Sequence, residues 1–167
     1  MSKAKSKGSR YENEVVKLVQ DYGLAANRVP MSGAIKGFDN DVVIGDLLRV
    51  ETKYRKNGNG FISIIPWVED SLNFVLISGN LAAARLSVAL PFFRQVIDEK
   101  PDIEVQCSIK SNNRSFKVVE SWLDQGDCPC DVLMCRIPRN EWLVIVRHDE
   151  GLIHFNNSPT KGLLKLV

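Results

Sequence analysis

The sequence predicts an α/β (α+β) fold in which a mixed central β-sheet is flanked by helices. Apolar residues recur three and four positions apart over residues 9–22, which predicts an amphipathic helix. Short apolar strands follow, two of them joined by a tight turn at Gly45-Asp46. A later helix precedes two more apolar strands. Strands clustered with helices in this order are typical of one mixed sheet covered by helices.

Each element is assigned from a local pattern. Ser9 is the expected N-cap of the first helix, and Glu12 three residues later would complete a capping box. Ser115 is the expected N-cap of the later helix. The other elements, in chain order, are a strand at 24–29, a loop at 30–37, a hairpin at 41–53, a short helix or turn at 62–72, a strand at 72–78, a helix at 81–99, a helix at 116–125, strands at 131–137 and 142–147, and a further strand within 151–167.

The composition is that of an ordinary globular domain. Of 167 residues, 44% are hydrophobic and 25% are charged, and this length fits one domain with a sizeable core. No apolar run approaches the roughly 18 residues of a membrane span, and no apolar stretch follows the basic N-terminus as in a signal peptide. We therefore expect a cytoplasmic protein with no membrane association, and we expect no small-molecule cofactor.

Positive charge is concentrated in the first part of the chain. Residues 1–60 hold 11 basic and 7 acidic side chains, whereas residues 61–167 hold 11 basic and 13 acidic ones. This distribution favours a phosphate-bearing partner near the N-terminal part. A solubilising, disordered arm over residues 1–6 would explain the first lysines equally well.

The hairpin carries the most informative side chains. Glu51 and Lys53 are two residues apart on a strand and therefore leave the same face of the sheet. Pairing the two strands around their turn brings Asp41 close to both. Two carboxylates and an ammonium group at one place could hold Mg²⁺, position a water molecule and hydrolyse a phosphodiester. Glu-x-Lys alone is also common on ordinary exposed strands. Asp39 is a rival for Asp41, which we prefer because the apolar strand begins directly after it.

A longer series of residues surrounds this hairpin. It comprises Lys7-Gly8, Glu12 four residues after the glycine, Arg28, Ser32-Gly33, Asp41 and Glu51-Thr52-Lys53. In order and spacing the series resembles the archaeal-type Holliday junction resolvases, a branch of the restriction-endonuclease-like nucleases with the PD-(D/E)XK signature. The resemblance covers residues 7–56 and resumes near residue 115.

The resemblance implies a restriction-endonuclease-like fold and a single nuclease domain over residues 1–167. Residues 1–8 would be a flexible basic arm. Compact family members have no counterpart of about 57–112, so this segment is expected to be an insertion. Because the insertion departs from the family pattern, it leaves the preferred substrate open.

The resemblance also implies the chemistry. Asp41 and Glu51, with the main-chain carbonyl of Thr52, would ligate Mg²⁺, for which Mn²⁺ could substitute. Glu12 would reach the metal ion directly or through a water molecule, unless it serves only the capping box. Lys53 would lie near the attacking water and would counter charge on the phosphorus.

The remaining implied roles concern DNA. Ser32 would contact the scissile phosphate or the partner subunit, although a plain turn residue would explain it equally well. The expected phosphate contacts are cations near the site: Lys7, Arg10, Arg28, Lys36, Arg55 and Lys56. The implied activity is symmetric, Mg²⁺-dependent cleavage of four-way DNA junctions by a homodimer, which would resolve recombination or replication intermediates. One of the apolar segments 81–96, 132–134 and 143–146 is expected to form the dimer interface, and the two late segments are favoured. The alternatives are a restriction-like or repair nuclease acting on duplex or other branched DNA, and a non-catalytic DNA-binding protein.

Overall fold

The structure is a computed structural model that describes residues 3–30, 40–99, 103–106, 108–109, 115–125, 130–147 and 153–156. Its helices are α1 (Lys3–Asp21), α2 (Ile65–Val68), α3 (Leu86–Glu99) and α4 (Lys117–Leu123), with a 3₁₀ turn at Ile62–Ile64 directly before α2. Its strands are β1 (Ala26–Arg28), β2 (Val42–Ile44), β3 (Leu48–Tyr54), β4 (Val75–Leu76), β5 (Leu81–Arg85), β6 (Ile103–Gln106), β7 (Ser108–Ile109), β8 (Val132–Arg136), β9 (Leu143–Arg147) and β10 (Ile153–Asn156). None of the helices in these ranges combines the length and apolarity that a membrane span requires.

Eight strands form one mixed sheet in the order β1-β2-β3-β8-β9-β5-β4-β7. The first three make an antiparallel meander, β3 pairs in parallel with β8, and β8, β9, β5 and β4 continue antiparallel. At the far edge, β7 pairs in parallel with β4, while β10 and β6 form a separate parallel pair. The predicted α+β class with a mixed sheet is confirmed.

Helices cover both faces of the sheet because its central strands are apolar on both sides. On β8, Val132 and Met134 point to the face covered by α1 and α3. Leu133 and Cys135 point to the face covered by the 3₁₀ turn, α2 and α4. All four side chains are at most 1% exposed. A strand buried on both faces gives a continuous apolar run in the sequence, which explains why β8 was predictable.

The first helix begins at Lys3, six residues before the predicted start. Lysine and alanine are good helix formers, and the one glycine at position 8 costs only about 1 kcal/mol relative to alanine. The helix therefore includes residues 3–8 of the predicted basic arm.

Both predicted helix caps are wrong. Ser9 and Glu12 lie inside α1, so they cannot form a capping box at its start. The N-cap of α4 is Phe116 rather than Ser115, and no side chain caps it. The carboxylate of Glu12 therefore needs another explanation than capping.

The segment at about 57–112 is part of the main sheet. It contributes β5, β4 and β7, and its helix α3 packs on the same face as α1. Residues 81–85 were predicted as the beginning of a helix, and this prediction is wrong because they form β5 between β9 and β4. Leu81 and the three alanines after it are fully buried. Packing on both faces overrides the helix propensity of alanine here.

The apolar segments that predicted a dimer interface are buried within the single chain. Strands β8 and β9 are interior strands of the sheet, and residues 143–146 are at most 4% exposed. The apolar residues of α3 lie in the same core as those of α1. Burial against both faces of the sheet accounts for the hydrophobicity of the late strands, so the prediction that they form the interface is wrong. The homodimer itself stays a prediction.

Candidate active site

The turn between β2 and β3 fixes the register of the hairpin. Gly45 and Asp46 have φ angles of 61° and 55°, and the Leu47 N–H donates to the Ile44 carbonyl at 3.2 Å. These are the features of a type I′ turn. Ile44 pairs with Leu48 rather than with Leu47, so Leu47 is one extra residue between the turn and the paired part of β3. At Gly45 a side chain would also meet Ile97 of α3, with a Cβ only 2.6 Å from its Cδ1 atom. The predicted tight turn is confirmed.

This register brings Asp41 to the Glu-x-Lys end of β3. Val42 pairs with Val50, and Asp41, directly before β2, donates its N–H to the Val50 carbonyl at 3.0 Å. The Oδ2 atom of Asp41 accepts hydrogen bonds from both the main-chain N–H and the hydroxyl of Thr52, each at 2.8 Å. The Asp41 carboxylate is thus held against the main chain of the Glu-x-Lys strand.

Helix α1 brings a third carboxylate to the hairpin. Glu12 is buried, with 9% exposure, and forms an ion pair with Arg28 of β1. Arg28 also donates from Nη2 to the hydroxyl of Ser9 at 2.8 Å. The rings of Tyr11 and Tyr54 stack with centroids 3.9 Å apart, which ties α1 to the end of β3.

These side chains line a cleft of about 690 Å³ at the carboxyl end of β3. Its walls include four of the predicted catalytic residues: Glu12, Asp41, Glu51 and Lys53. Thr52, Arg55 and Lys56 line it as well, together with Gly8, Tyr11, Tyr54 and Pro138. The structure therefore brings together most of the residues that the sequence singled out.

Burial and crowding disfavour negative charge in this cleft. Burial raises the pKa of Glu51 to about 7, the charge of Asp41 acts in the same direction, and Lys53 opposes the rise. Burial also raises the pKa of Glu12, with Arg28 opposing the rise and Asp41 adding to it. A cation bound between these carboxylates would offset both the burial and their mutual repulsion.

Lys53 has a partner that sequence reasoning missed. Its Nζ atom forms an ion pair with Glu51 and donates to Oε1 of Gln125 at 3.0 Å. Gln125 lies just beyond the end of α4, and in the sequence it is only the last polar residue before Gly126. The side chain of Lys53 is 13% exposed, so the ammonium group is held in place between two acceptors.

An ion pair fixes the strand that carries the site against its parallel neighbour. The Oδ2 atom of Asp131 accepts from the Arg49 main-chain N–H at 2.8 Å and from its Nε at 3.1 Å. The Asp131 N–H in turn donates to the Arg49 carbonyl at 2.9 Å. These contacts set the β3–β8 pairing and thereby place Gln125 above Lys53.

Of the predicted DNA contacts that the structure describes, only two are exposed at the cleft. Arg55 and Lys56 are exposed at the cleft, and Arg55 stacks on Trp122 at 5.3 Å. Arg10 is exposed on α1, and Arg28 is engaged with Glu12, so their contacts to phosphate stay predictions. Ser32, Lys36 and the rival Asp39 lie outside the described residues, as does the side chain of Lys7.

The donor set fits a hard divalent cation that keeps part of its water shell. Within the described ranges, no three His, Cys, Asp or Glu side chains are grouped to hold a metal ion by themselves. Mg²⁺ typically binds through one or two carboxylates and retains several water molecules. Asp41 and Glu51 supply two such carboxylates on neighbouring strands. Glu12 is engaged by Arg28, so a contact through water suits it better than direct ligation.

Residues 3–57 match the model of a family described as "Phage putative PDDEXK endonuclease". The match spans about one third of the chain and contains Glu12, Asp41, Glu51 and Lys53. It supports the PD-(D/E)XK nuclease superfamily, whose members generally use a divalent metal ion, and the mixed sheet with its helices is consistent with a restriction-endonuclease-like fold. It does not support the archaeal Holliday junction resolvase type in particular. No curated protein and no solved structure gives a significant match.

Proposed function

We propose that this protein is a cytoplasmic, metal-dependent DNA endonuclease of the PD-(D/E)XK type. The observation that carries the proposal is the cleft in which Glu12, Asp41, Glu51 and Lys53 meet. A protein that only binds DNA gains nothing from three carboxylates in its groove, because they repel phosphates. A nuclease needs them to hold a cation against the scissile phosphate.

Each side chain then has one role. Asp41 and Glu51, with the main-chain carbonyl of Thr52, would hold the cation. Mg²⁺, or Mn²⁺ in its place, would supply polarisation of the phosphate and a lowered pKa of the attacking water. Lys53 counters the negative charge that develops on the phosphoryl oxygens. Glu12, which Arg28 engages, would reach the cation through a water molecule, and Ser32 would contact the scissile phosphate.

The finer proposal concerns the substrate. The order and spacing of the residues from Lys7 to Lys56 resemble junction resolvases, so we propose that the enzyme cuts four-way junctions in symmetric pairs and resolves recombination or replication intermediates. Lys7, Arg10, Arg28, Lys36, Arg55 and Lys56 are the proposed phosphate contacts. A restriction-like or repair nuclease is the second candidate, because the 57–112 segment contributes three strands to the sheet.

A cleavage assay tests both the proposed nuclease activity and the proposed preference for four-way junctions. A labelled four-way junction and its component duplexes are incubated with the protein in Mg²⁺, in Mn²⁺ and in EDTA. We expect paired nicks in the junction with either metal ion, slower cutting of the duplexes, and no products in EDTA. Equal rates on junction and duplex would favour the restriction-like or repair enzyme. If no DNA is cut with either metal ion, the nuclease proposal is wrong.

Paired cleavage also predicts a homodimer, because each chain carries one such cleft. Light scattering at micromolar concentration should give about twice the chain mass of 18.7 kDa. The interface must lie outside β8 and β9, which are interior strands. A strict monomer that still makes paired nicks would show that two copies meet only on the DNA.

A further inference from the structure

The turn after β8 contains an arginine in a conformation that favours glycine. The Asn140 N–H donates to the Ile137 carbonyl at 3.3 Å, so Pro138 and Arg139 occupy the two central positions of the turn. Arg139 has a φ angle of 66°. A proline followed by a residue with positive φ is typical of a type II turn, in which glycine or asparagine is preferred at the second central position. An arginine there holds strain that glycine would relieve.

No packing within the described part of the fold compensates for this strain. Arg139 is exposed and makes neither a hydrogen bond nor an ion pair with any described residue. Two neighbouring arginines differ in this respect. Arg136 forms an ion pair with Glu14, and Arg85 donates to the Ser71 carbonyl at 3.1 Å. Local strain without a structural reason is typical of a residue kept for function.

The turn lies beside the cleft, at the same edge of the sheet. Strands β3 and β8 run in parallel, and the Arg55 N–H donates to the Arg136 carbonyl at 3.0 Å just past β3. Pro138 lines the cleft itself. Arg139 lines a second cavity, of about 340 Å³, together with Arg85 from the end of β5 and the acids Glu69 and Glu141. Since β5 is antiparallel to β9, and β9 to β8, β5 also ends at this edge.

The edge is long enough to meet several phosphates. Strands lie about 4.8 Å apart, so β3 and β5 are separated by about 14 Å. Each DNA strand carries one phosphate for about 3.4 Å of helix axis. The acid nearest to the turn in sequence, Glu141, is engaged by Arg85 at 4.0 Å and by the Ser87 N–H at 2.7 Å. Arg139 is therefore available to an anion from outside.

We propose that Arg139 contacts a DNA backbone phosphate beyond the scissile one, so that the DNA interface extends from the cleft across β8 toward the inserted strands. This inference rests on the proposed nuclease function. The 57–112 segment would then take part in substrate binding, since its strand β5 ends beside Arg139.

The substitution Arg139→Gly tests the backbone strain and the DNA contact by two different measurements. It removes the strain, so the denaturation midpoint should rise, whereas most substitutions lower it. It also removes one phosphate contact, so affinity for a labelled duplex or four-way junction should fall several-fold in EDTA. The slope of log affinity against log salt concentration should become shallower by about 0.9. A higher midpoint together with weaker, less salt-dependent binding is not expected of a structural residue.

Two further variants serve as matched controls. Arg139→Lys keeps the charge and should keep the wild-type salt slope. Asp46→Gly changes the other described non-glycine residue with positive φ, at the opposite end of β3, and should raise the midpoint without weakening binding. If Arg139→Gly binds with wild-type affinity and slope while the wild-type protein cleaves DNA, the inference is wrong. If the wild-type protein cleaves no DNA with any metal ion, the proposed function itself fails.

Discussion

The substitution Glu51→Gln is expected to abolish metal-dependent cleavage while leaving DNA binding intact or tighter. It removes a proposed metal ligand and a negative charge that faces the phosphates. Metal-ion catalysis contributes several kcal/mol to transition-state stabilisation, so single-turnover cleavage should fall at least about 1,000-fold. Fluorescence anisotropy with the same DNA in EDTA gives the binding comparison.

Three variants control this result. Asp98→Asn removes one carboxylate charge at an exposed residue of α3 and should leave cleavage unchanged. Asp41→Asn should resemble Glu51→Gln, because Asp41 lies beside Glu51 in the cleft. Asp39→Asn should be milder. Substantial Mg²⁺-dependent cutting by Glu51→Gln contradicts the site, and an inactive Asp39→Asn beside an active Asp41→Asn would assign the ligand to Asp39 instead.

The same Glu51→Gln substitution should stabilise the metal-free protein above neutral pH. Burial raises the pKa of Glu51 from 4.5 to about 7, so folding favours the neutral carboxyl group. The stability that this group contributes is complete below pH 4.5 and is lost as the pH rises through 7. Glutamine is neutral at every pH and avoids the loss, which amounts to about 3 kcal/mol at most.

Chemical denaturation in EDTA at pH 5 and pH 8 measures this difference. The variant should exceed the wild-type protein in unfolding free energy at pH 8 and should lie close to it at pH 5. Adding Mg²⁺ at pH 8 should stabilise the wild-type protein and not the variant, because only the former binds the ion tightly. Equal unfolding free energies at pH 8 in EDTA would show that the fold does not penalise the charged carboxylate.

The hairpin was predictable because its information is local. Gly45 and Asp46 encode the turn, and the hairpin that it closes brings Asp41 to the cleft beside Glu51. The extra residue Leu47 shifts the register by one from that of a simple two-residue turn. The contribution of Glu12 was predictable only through the resemblance. The local pattern around Ser9 pointed to a capping box, which the longer helix excludes.

The contacts that sequence reasoning missed join distant parts of the chain. Gln125 reaches Lys53 across 72 residues, and its position depends on how α4 ends above the parallel β3–β8 pair. Residues 81–85 have helix-forming alanines, yet they become a strand because β9 and β4 are available on either side. Neither outcome is encoded within a window of ten or fifteen residues.

The pairing of β3 with β8 has a consequence for how the enzyme matures. Arg49 and Asp131, which join these strands, are 82 residues apart, and closing so long a loop costs entropy before any contact is gained. Contacts between residues so far apart in sequence slow folding. All the proposed catalytic residues are synthesised early, but β3 lacks its neighbour until β8 has left the ribosome. We therefore expect the nascent chain to remain inactive until β8 has been translated and has left the ribosome.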